Sequence, residues 1–318
     1  MYTDKFATKP GELKWSLEIL PPTLGKTVDD VCATLDQLLE YHPIGIEVTY
    51  HQEKIVSKNE NGMQIGYPLR RNPGTVPLCS YLKGYYHGKD DVEITPHLIC
   101  GGFSIKECEE ALIDLNVANI RTVLALRGDP QDLEKGFVPH PEGHHHASGL
   151  VEQIVNLNNG KYLFPIEDPT PTKFCIGVAG YPDKHYEAPN RDYDMQMLKN
   201  KVDKGADYIV TQMFFDTKNY FAFVEKARKV GIKIPIVPGI KPLDSKKQLT
   251  VLPRKFHIEL PQELVEMTLS QDDAAVKQIG IEWAVAQCKE LLYYGVPALH
   301  FYSMNKAAPI KEILKKLV

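Results

Sequence analysis

A few side chains in this sequence stand where chemistry could use them. Glu18 sits in the run Ser16-Leu17-Glu18-Ile19-Leu20. A carboxylate among such neighbours is desolvated once the segment is buried, and desolvation raises its pKa. A raised pKa lets a carboxylic acid donate a proton near neutral pH. The alternative is a structural carboxylate paired with a base of the wall, for which Lys306 is a candidate. The run Arg127-Gly128-Asp129-Pro130 puts two opposite charges and a glycine directly after the apolar Val123-Leu124-Ala125-Leu126. It is either part of a site at a strand end or a turn solvated by its charges. Gln212 interrupts Ile209-Val210 and Met213-Phe214. Its amide can donate and accept together, which suits the edge of a heterocycle, although a satisfied core glutamine has the same signature. His140, His144, His145 and His146 suggest metal, but no cysteine or spaced carboxylate completes a ligand set. No metal is expected, and that stretch reads as a solvent-side loop.

Such residues need elements to hold them. Residues 15–20 alternate: Trp15, Leu17 and Ile19 on one face, Ser16 and Glu18 on the other. Pro21-Pro22 ends that strand. Further strands are expected at 44–50, 94–100, 120–126, 174–180, 208–214, 234–240 and 298–303. Helical apolar spacing fills the intervals at 27–39, 75–87, 105–115, 147–157, 193–203, 220–230 and 310–318, with more than one helix in 245–294. Residues 51–74 and 127–146 read as long irregular loops after the second and fourth strands. Alternating strands and helices without a linker-like change in composition predict one (β/α)8 TIM barrel over residues 1–318. The glycine-rich dinucleotide fingerprint that would favour a doubly wound sheet is missing.

Composition narrows the function. Of the 318 residues, 43% are hydrophobic and 25% charged, enough for a large core. A net charge of −4 gives no electrostatic reason to bind nucleic acid. The sequence has no apolar run of membrane-spanning length and no signal-peptide pattern at its start, so a cytoplasmic protein is expected. The six cysteines form no Cys-x-x-Cys pair, and several lie in apolar stretches, as small reduced core residues do. The pairs Phe214-Phe215 and Tyr293-Tyr294 likewise read as core.

Parallel α/β barrels carry their sites at the carboxyl ends of the strands. Those ends offer Glu18, Thr49, Tyr50, His97, Arg127, Gly128, Asp129, Tyr181, Gln212, Asn305 and Lys306. Four segments among them are Ser16-Leu17-Glu18-Ile19-Leu20-Pro21-Pro22, Thr95-Pro96-His97-Leu98-Ile99-Cys100, Ala125-Leu126-Arg127-Gly128-Asp129 and Thr211-Gln212-Met213-Phe214-Phe215-Asp216. With Pro238-Gly239-Ile240 and His300-Phe301-Tyr302, their order and spacing resemble the methylenetetrahydrofolate reductase family over nearly the whole chain.

The resemblance implies a barrel with bound FAD, reduced by NADH or NADPH, that then reduces methylenetetrahydrofolate to methyltetrahydrofolate for methionine synthesis. It makes Glu18 the general acid and Asp129 the carboxylate near flavin and pterin. Gln212, Gln248 and Lys306 match substrate contacts, with lysine where the family can carry arginine. For FAD it implies Thr49, Tyr50, His97, Arg127, Gly128, Asp129, Ala147, Tyr181, His185, Ala188, Asp194 and Lys201. Arg127 and Lys201 are suited by charge to a pyrophosphate, and Gly128 to close backbone approach. His146, Met197, Asn200 and Leu252 depart from the family's usual residues at cofactor or folate contacts. The expected partners are folate, nicotinamide and further copies of the chain. The regulatory domain that larger members append is not expected. Two other readings are a proline-dehydrogenase-like flavoenzyme, which would oxidise a prolyl substrate, and a non-catalytic flavin- or folate-binding subunit, which a nicotinamide alone would not reduce.

Overall fold

The computed structural model describes residues 1–60, 63–88, 92–129 and 136–317. After a short 3-10 turn at Tyr2–Lys5, β1 (Trp15–Ile19), α1 (Val28–Leu39) and β2 (Gly45–Val48) follow. Thr27 caps α1 by accepting a hydrogen bond from the Asp29 amide. Next come β3 (Lys54–Glu60), β4 (Met63–Leu69), α2 (Thr75–Tyr85), β5 (Glu93–Ile99), α3 (Ile105–Val117) and β6 (Thr122–Leu126). The chain continues through α4 (Ala147–Asn158), β7 (Cys175–Gly180), α5 (Arg191–Asp203), β8 (Tyr208–Met213), α6 (Thr217–Lys229) and β9 (Ile236–Ile240). It finishes with α7 (Gln248–Phe256), α8 (Gln262–Leu269), α9 (Asp273–Tyr294), β10 (Leu299–Tyr302) and α10 (Ala307–Leu317).

Eight parallel strands close into a barrel in the order β1-β10-β9-β8-β7-β6-β5-β2. This is the (β/α)8 architecture that the strand–helix alternation predicts. Strand alternation sorts the side chains. Trp15, Leu17 and Ile19 point outward into the main core, with Leu35 and Leu38 of α1 and Ile310 and Ile313 of α10. Ser16 and Glu18 point into the barrel. Register aligns Ser16 with His300 and Glu18 with Tyr302 on β10, Glu18 with Glu47 on β2, and Glu47 with Thr95 on β5.

The interior therefore has two halves. The side formed by β1, β2, β5 and β10 carries Ser16, Glu18, Glu47, Thr95, His97, His300 and Tyr302. The side formed by β6–β9 is filled by Leu124, Cys175, Tyr208, Val210 and Val237. The lower end is stoppered by Tyr2 and Phe6, whose rings meet Tyr208 edge-on at 5.4 and 5.9 Å.

Two expectations need correction. The segment 51–74 is not irregular: β3 and β4 pair antiparallel from Lys54↔Leu69 to Glu60↔Met63. Tyr293 and Tyr294 are not core. They lie at the exposed end of α9, Tyr293 89% exposed, with Tyr294 only leaning on Phe221. Phe214 and Phe215 are buried, as are all six cysteines, which are free thiols. Of the loop expected at 127–146, residues 130–135 lie outside the described residues, as does Val318 of the expected last helix. No helix among the described residues is long and apolar enough to cross a membrane.

Candidate active site

Glu18 stands at the upper end of β1, inside the barrel, its side chain 13% exposed. Burial pushes its carboxyl up to about 7; Glu47 reinforces the shift, while His97 and Lys241 oppose it. Its nearest titratable neighbour is His97, whose Nε2 is 3.8 Å from a Glu18 oxygen and 3.2 Å from Glu47 Oε2. Burial disfavours the His97 imidazolium, but the hydrogen bond it donates to Glu47 and the charges of both carboxylates outweigh it and raise its pKa. Lys306, the suggested partner of Glu18, instead reaches Asp244 at 2.5 Å. The base that acts on Glu18 from above is Lys241, just past β9 and itself buried.

The end of β1 is tied down from the far end of the chain. The Asn305 side chain accepts from the Leu20 amide and donates to the Leu20 carbonyl, both at 2.9 Å. Ser303 Oγ donates to the Glu18 carbonyl at 2.6 Å. These bonds fix the backbone that aims Glu18.

Beyond the apolar half of the barrel lies a cavity of about 310 Å³ between the ends of β6 and β7 and helices α4 and α5. Arg127, Ala147, Tyr181, His185, Ala188, Asp194 and Lys201 line it, together with Met197 and Asn200. Lys201 donates to the Ala179 carbonyl at 2.5 Å, and burial pulls its pKa down to about 8 despite nearby Asp194. Burial also drops His185 to about 4, with Arg127 adding to the effect. Arg127 pairs with Glu187 at 2.5 Å and lies 4.3 Å over the Phe137 ring. His146 is the N-cap of α4 but supplies no side-chain cap, so the first-turn amides beside Ala147 and Ser148 lack that partner at the cavity wall. Uncapped amides of a helix start plus a buried ammonium suit an anionic group such as a diphosphate.

The remaining expected residues fall into two places. Thr49 and His97 are neighbours above the Val48↔Pro96 pairing; Thr49 Oγ1 lies 3.2 Å from His51, and Tyr50 packs edge-on against Phe103. Asp129 is exposed and acts electrostatically on Tyr181, a residue of the cavity lining. Gly128 has φ +92°, and an added Cβ would sit 3.0 Å from Gln52 and 3.2 Å from Ile99. The close approach at this glycine is thus to protein atoms. Gln212 is half-buried, its oxygen accepting from the Met213 amide at 3.0 Å. Gln248 accepts from the Asp244 amide at 2.9 Å, so Gln248 and Lys306 share Asp244 as a centre. Leu252 is buried in a cluster with Met213 and Phe215. His144 bonds Gln153 at 2.7 Å, and among the described residues no group of three metal-ligating side chains occurs.

Sequence reasoning passed over Glu47, Lys241 and Asp244, and gave His300 no role beyond its place in a family-like segment. Glu47 and His300 carry the same signal as Glu18, one titratable residue between apolar neighbours in a short strand. Lys241 follows the Pro238-Gly239-Ile240 strand end, where a lysine reads as a solvated cap.

Comparison with known proteins adds an independent line. The family model described as methylenetetrahydrofolate reductase matches residues 4–318. Methylenetetrahydrofolate reductase 1 of Schizosaccharomyces pombe is 30% identical over 309 residues, covering 96% of this chain and 46% of that protein. The 5,10-methylenetetrahydrofolate reductase of Buchnera aphidicola is 33% identical, covering 71% of this chain and 72% of that protein. That of Pectobacterium carotovorum is 28% identical, covering 93% and 87%. The chain thus spans about half the length of the eukaryotic relative and most of the bacterial ones. Among solved structures, a Clostridium thermocellum protein that binds two copies of 5-methyl-5,6,7,8-tetrahydrofolic acid has the same fold. Its TM-score is 0.60 at 12% identity, over 99% of this chain and 96% of that one.

Proposed function

The chain belongs to the methylenetetrahydrofolate reductase family, and from that premise we propose that residues 1–318 form one catalytic barrel domain that reduces 5,10-methylenetetrahydrofolate to 5-methyltetrahydrofolate. FAD is its bound cofactor, NADH or NADPH its electron donor, and methionine synthesis the use of its product. The relatives' names do not agree on the nicotinamide: NADH in Arabidopsis thaliana, NADPH in Caenorhabditis elegans. The observation that carries the reading is Glu18, a carboxyl with a pKa raised to about 7 at the carboxyl end of a barrel strand.

In this reading Glu18 delivers its proton to a nitrogen of the folate's five-membered ring, which opens to a reducible iminium. Asp129 holds the pterin, Gln212 serves folate and nicotinamide in turn, and Gln248 and Lys306 bind the rest of the folate. Thr49, Tyr50, His97 and Gly128 hold the flavin side of the cofactor, and Arg127 its diphosphate. The cavity residues Ala147, Tyr181, His185, Ala188, Asp194 and Lys201 take its remainder, with the α4 amides and Lys201 opposite the diphosphate. When bound, FAD would supply the two-electron chemistry that links the nicotinamide to the folate. Arg127 must exchange its Glu187 partner, or share it, to meet phosphate.

An anaerobic titration tests the proposal. The flavin absorbance of the purified protein should bleach with NADH or NADPH and return on adding methylenetetrahydrofolate. Bleaching without return, or return with a prolyl-derived acceptor instead, would sink it.

A further inference from the structure

The barrel interior beneath Glu18 holds charge that the proposed reaction does not use. Glu47 is enclosed, its side chain 1% exposed, and its carboxylate lies between two imidazoles, His97 at 3.2 Å and His300 at 3.9 Å. His300 continues downward, its Nδ1 2.9 Å from Ser16 Oγ. Below Ser16 comes the Tyr2 hydroxyl, which bonds to it and also feels Glu93, the partly exposed first residue of β5. Side chains able to give and take protons thus line the barrel from Glu18 to its lower end. An enclosed carboxylate costs several kcal/mol to desolvate. The other half of the barrel fills the same space with Leu124, Val210 and Val237 at no such cost.

Four buried polar atoms along this column have no hydrogen-bond partner: Glu47 Oε1, Thr95 Oγ1, His300 Nε2 and Tyr208 OH. Thr95 is the register neighbour of Glu47, and Tyr208 feels the Glu47 charge. An internal water needs two to four polar partners, and this group provides them.

We propose that Glu47 and His300, bridged by one internal water, form a proton relay that recharges Glu18 through His97 after each turnover. The inference rests on Glu18 being the acid of the proposed reaction. Glu18 gives one proton to the folate nitrogen and is left as a carboxylate. His97, as imidazolium, passes its Nε2 proton to Glu18, 3.8 Å away, and is left neutral. Glu47 is a carboxylate at rest, because the effect of its burial is outweighed by His300 and His97. It takes a proton on Oε1 through the water from His300 Nε2, passes one from Oε2 to His97 Nε2, and ends as the carboxylate again. His300 in turn takes the Ser16 hydroxyl proton at Nδ1, Ser16 is refilled from Tyr2 and Tyr2 from solvent at the lower end, and the neutral imidazole then exchanges tautomer, which restores its Nε2 proton for the next turnover. One proton enters below for each one used above, and no electrons move. The charged or titratable groups facing the column are Lys241 and Tyr302 at Glu18, and Tyr2 and Tyr208 at Glu47. Supply from below matters because Glu18 has little exposure of its own, and ring systems bound over the mouth cover it further.

Glu47→Gln keeps the shape and removes the carboxylate that takes up and hands on the proton. With enzyme pre-reduced and equilibrated at pH 6.5, the first folate-dependent reoxidation should run within about two-fold of wild type, because Glu18 starts protonated. Steady-state turnover should fall by about ten-fold or more, the scale of a lost acid–base step. Equal loss in both means that Glu47 only positions His97, and loss in neither means that protons enter from the mouth; either result overturns the relay. Wild-type enzyme that shows no folate-dependent reoxidation overturns the functional reading, and the relay with it. Independently of turnover, histidine nitrogen NMR of Glu47→Gln should show His97 losing its charge at lower pH than in wild type; an unchanged titration also overturns the relay. If Glu47→Gln does not fold, Ser16→Ala should show the same split between first and later turnovers, and its absence counts equally against the proposal.

Discussion

A carboxylic acid that donates near neutral pH must be kept from water without being locked into an ion pair, and Glu18 meets both conditions. Among the described residues no cation lies within salt-bridge distance except His97, at 3.8 Å, and Lys241 acts only through space. Glu18→Gln should therefore leave flavin reduction by the nicotinamide nearly unchanged and slow folate-dependent reoxidation by about 10²–10⁴-fold, as expected for loss of a general acid. Rapid mixing under anaerobic conditions separates the two steps, and wild-type reoxidation in the variant would make Glu18 structural. The same acid sets a pH limb. Glu18 must be protonated to act, its pKa is about 7, and its protonated fraction falls above that value. The wild-type reoxidation rate should decline as pH rises through about 7, while flavin reduction should not share the limb. Glu18 was legible in the sequence, but the cause of its shift was not. Leu17 and Ile19, its neighbours in the chain, face outward to the helices. Its burial comes from the barrel interior, where His97, Glu47 and Tyr302 arrive from three other strands. Only closure of the barrel brings them together, which is also why Glu47 and His300 passed as ordinary strand residues.

At the level of elements, strand and helix positions were readable because apolar periodicity is local, and most ends fall within a few residues of expectation. The hairpin β3–β4 was missed although its sequence carried the signal. Residues 54–60 and 63–69 flank Asn61-Gly62, a pair strongly favoured in two-residue hairpin turns. The polar content of the segment obscured it, since much of the hairpin is exposed and needs no apolar face. Tyr293 and Tyr294 failed for the converse reason: aromatic type suggested burial, while their position at the last turn of α9 sets exposure. Helix α9 also holds the mouth of the barrel in place. Gly280 lets it press on the segment after β9, for a Cβ there would lie 2.3 Å from the Leu243 carbonyl oxygen and 2.8 Å from Leu243 Cβ. Gly280→Ala would gain about 1 kcal/mol of helix propensity. The clash is with backbone and cannot rotate away, and overpacking of this kind costs about 1–3 kcal/mol. The clash should win. The variant should unfold at lower urea and bind folate more weakly, because Leu243 lies between Lys241 and Asp244. Unchanged or raised stability would show that α9 has room to shift.

The whole molecule divides labour between the two halves of its barrel. The polar half, β1, β2, β5 and β10, keeps the acid and its charged surroundings. The apolar half is an inert wall, and the cavity lies outside it, against α4 and α5. A cofactor reaching from Glu18 to that cavity would cross the ends of β6 and β7 and join the polar side of the barrel to α4 and α5. Its binding should therefore stabilise the native fold as a whole. A ligand at about a hundred times its Kd stabilises the state that binds it by about 2.7 kcal/mol. Deflavinated protein given FAD at that excess should unfold several degrees higher in a thermal scan. Adding EDTA should change nothing, since no metal-ligating group of three occurs among the described residues. Lys201→Met should lower the FAD-induced shift. The lysine's charge-assisted contact to phosphate is worth about 1.5–3 kcal/mol, or roughly 10–100-fold in Kd. Part of that loss is offset because the buried ammonium, with its pKa near 8, is itself costly to keep charged. The apo form of Lys201→Met should accordingly be no less stable than wild-type apo protein, and only its response to FAD should shrink. A variant equally destabilised with and without FAD would make Lys201 a structural lysine bonded to Ala179, and would remove it from the cofactor site.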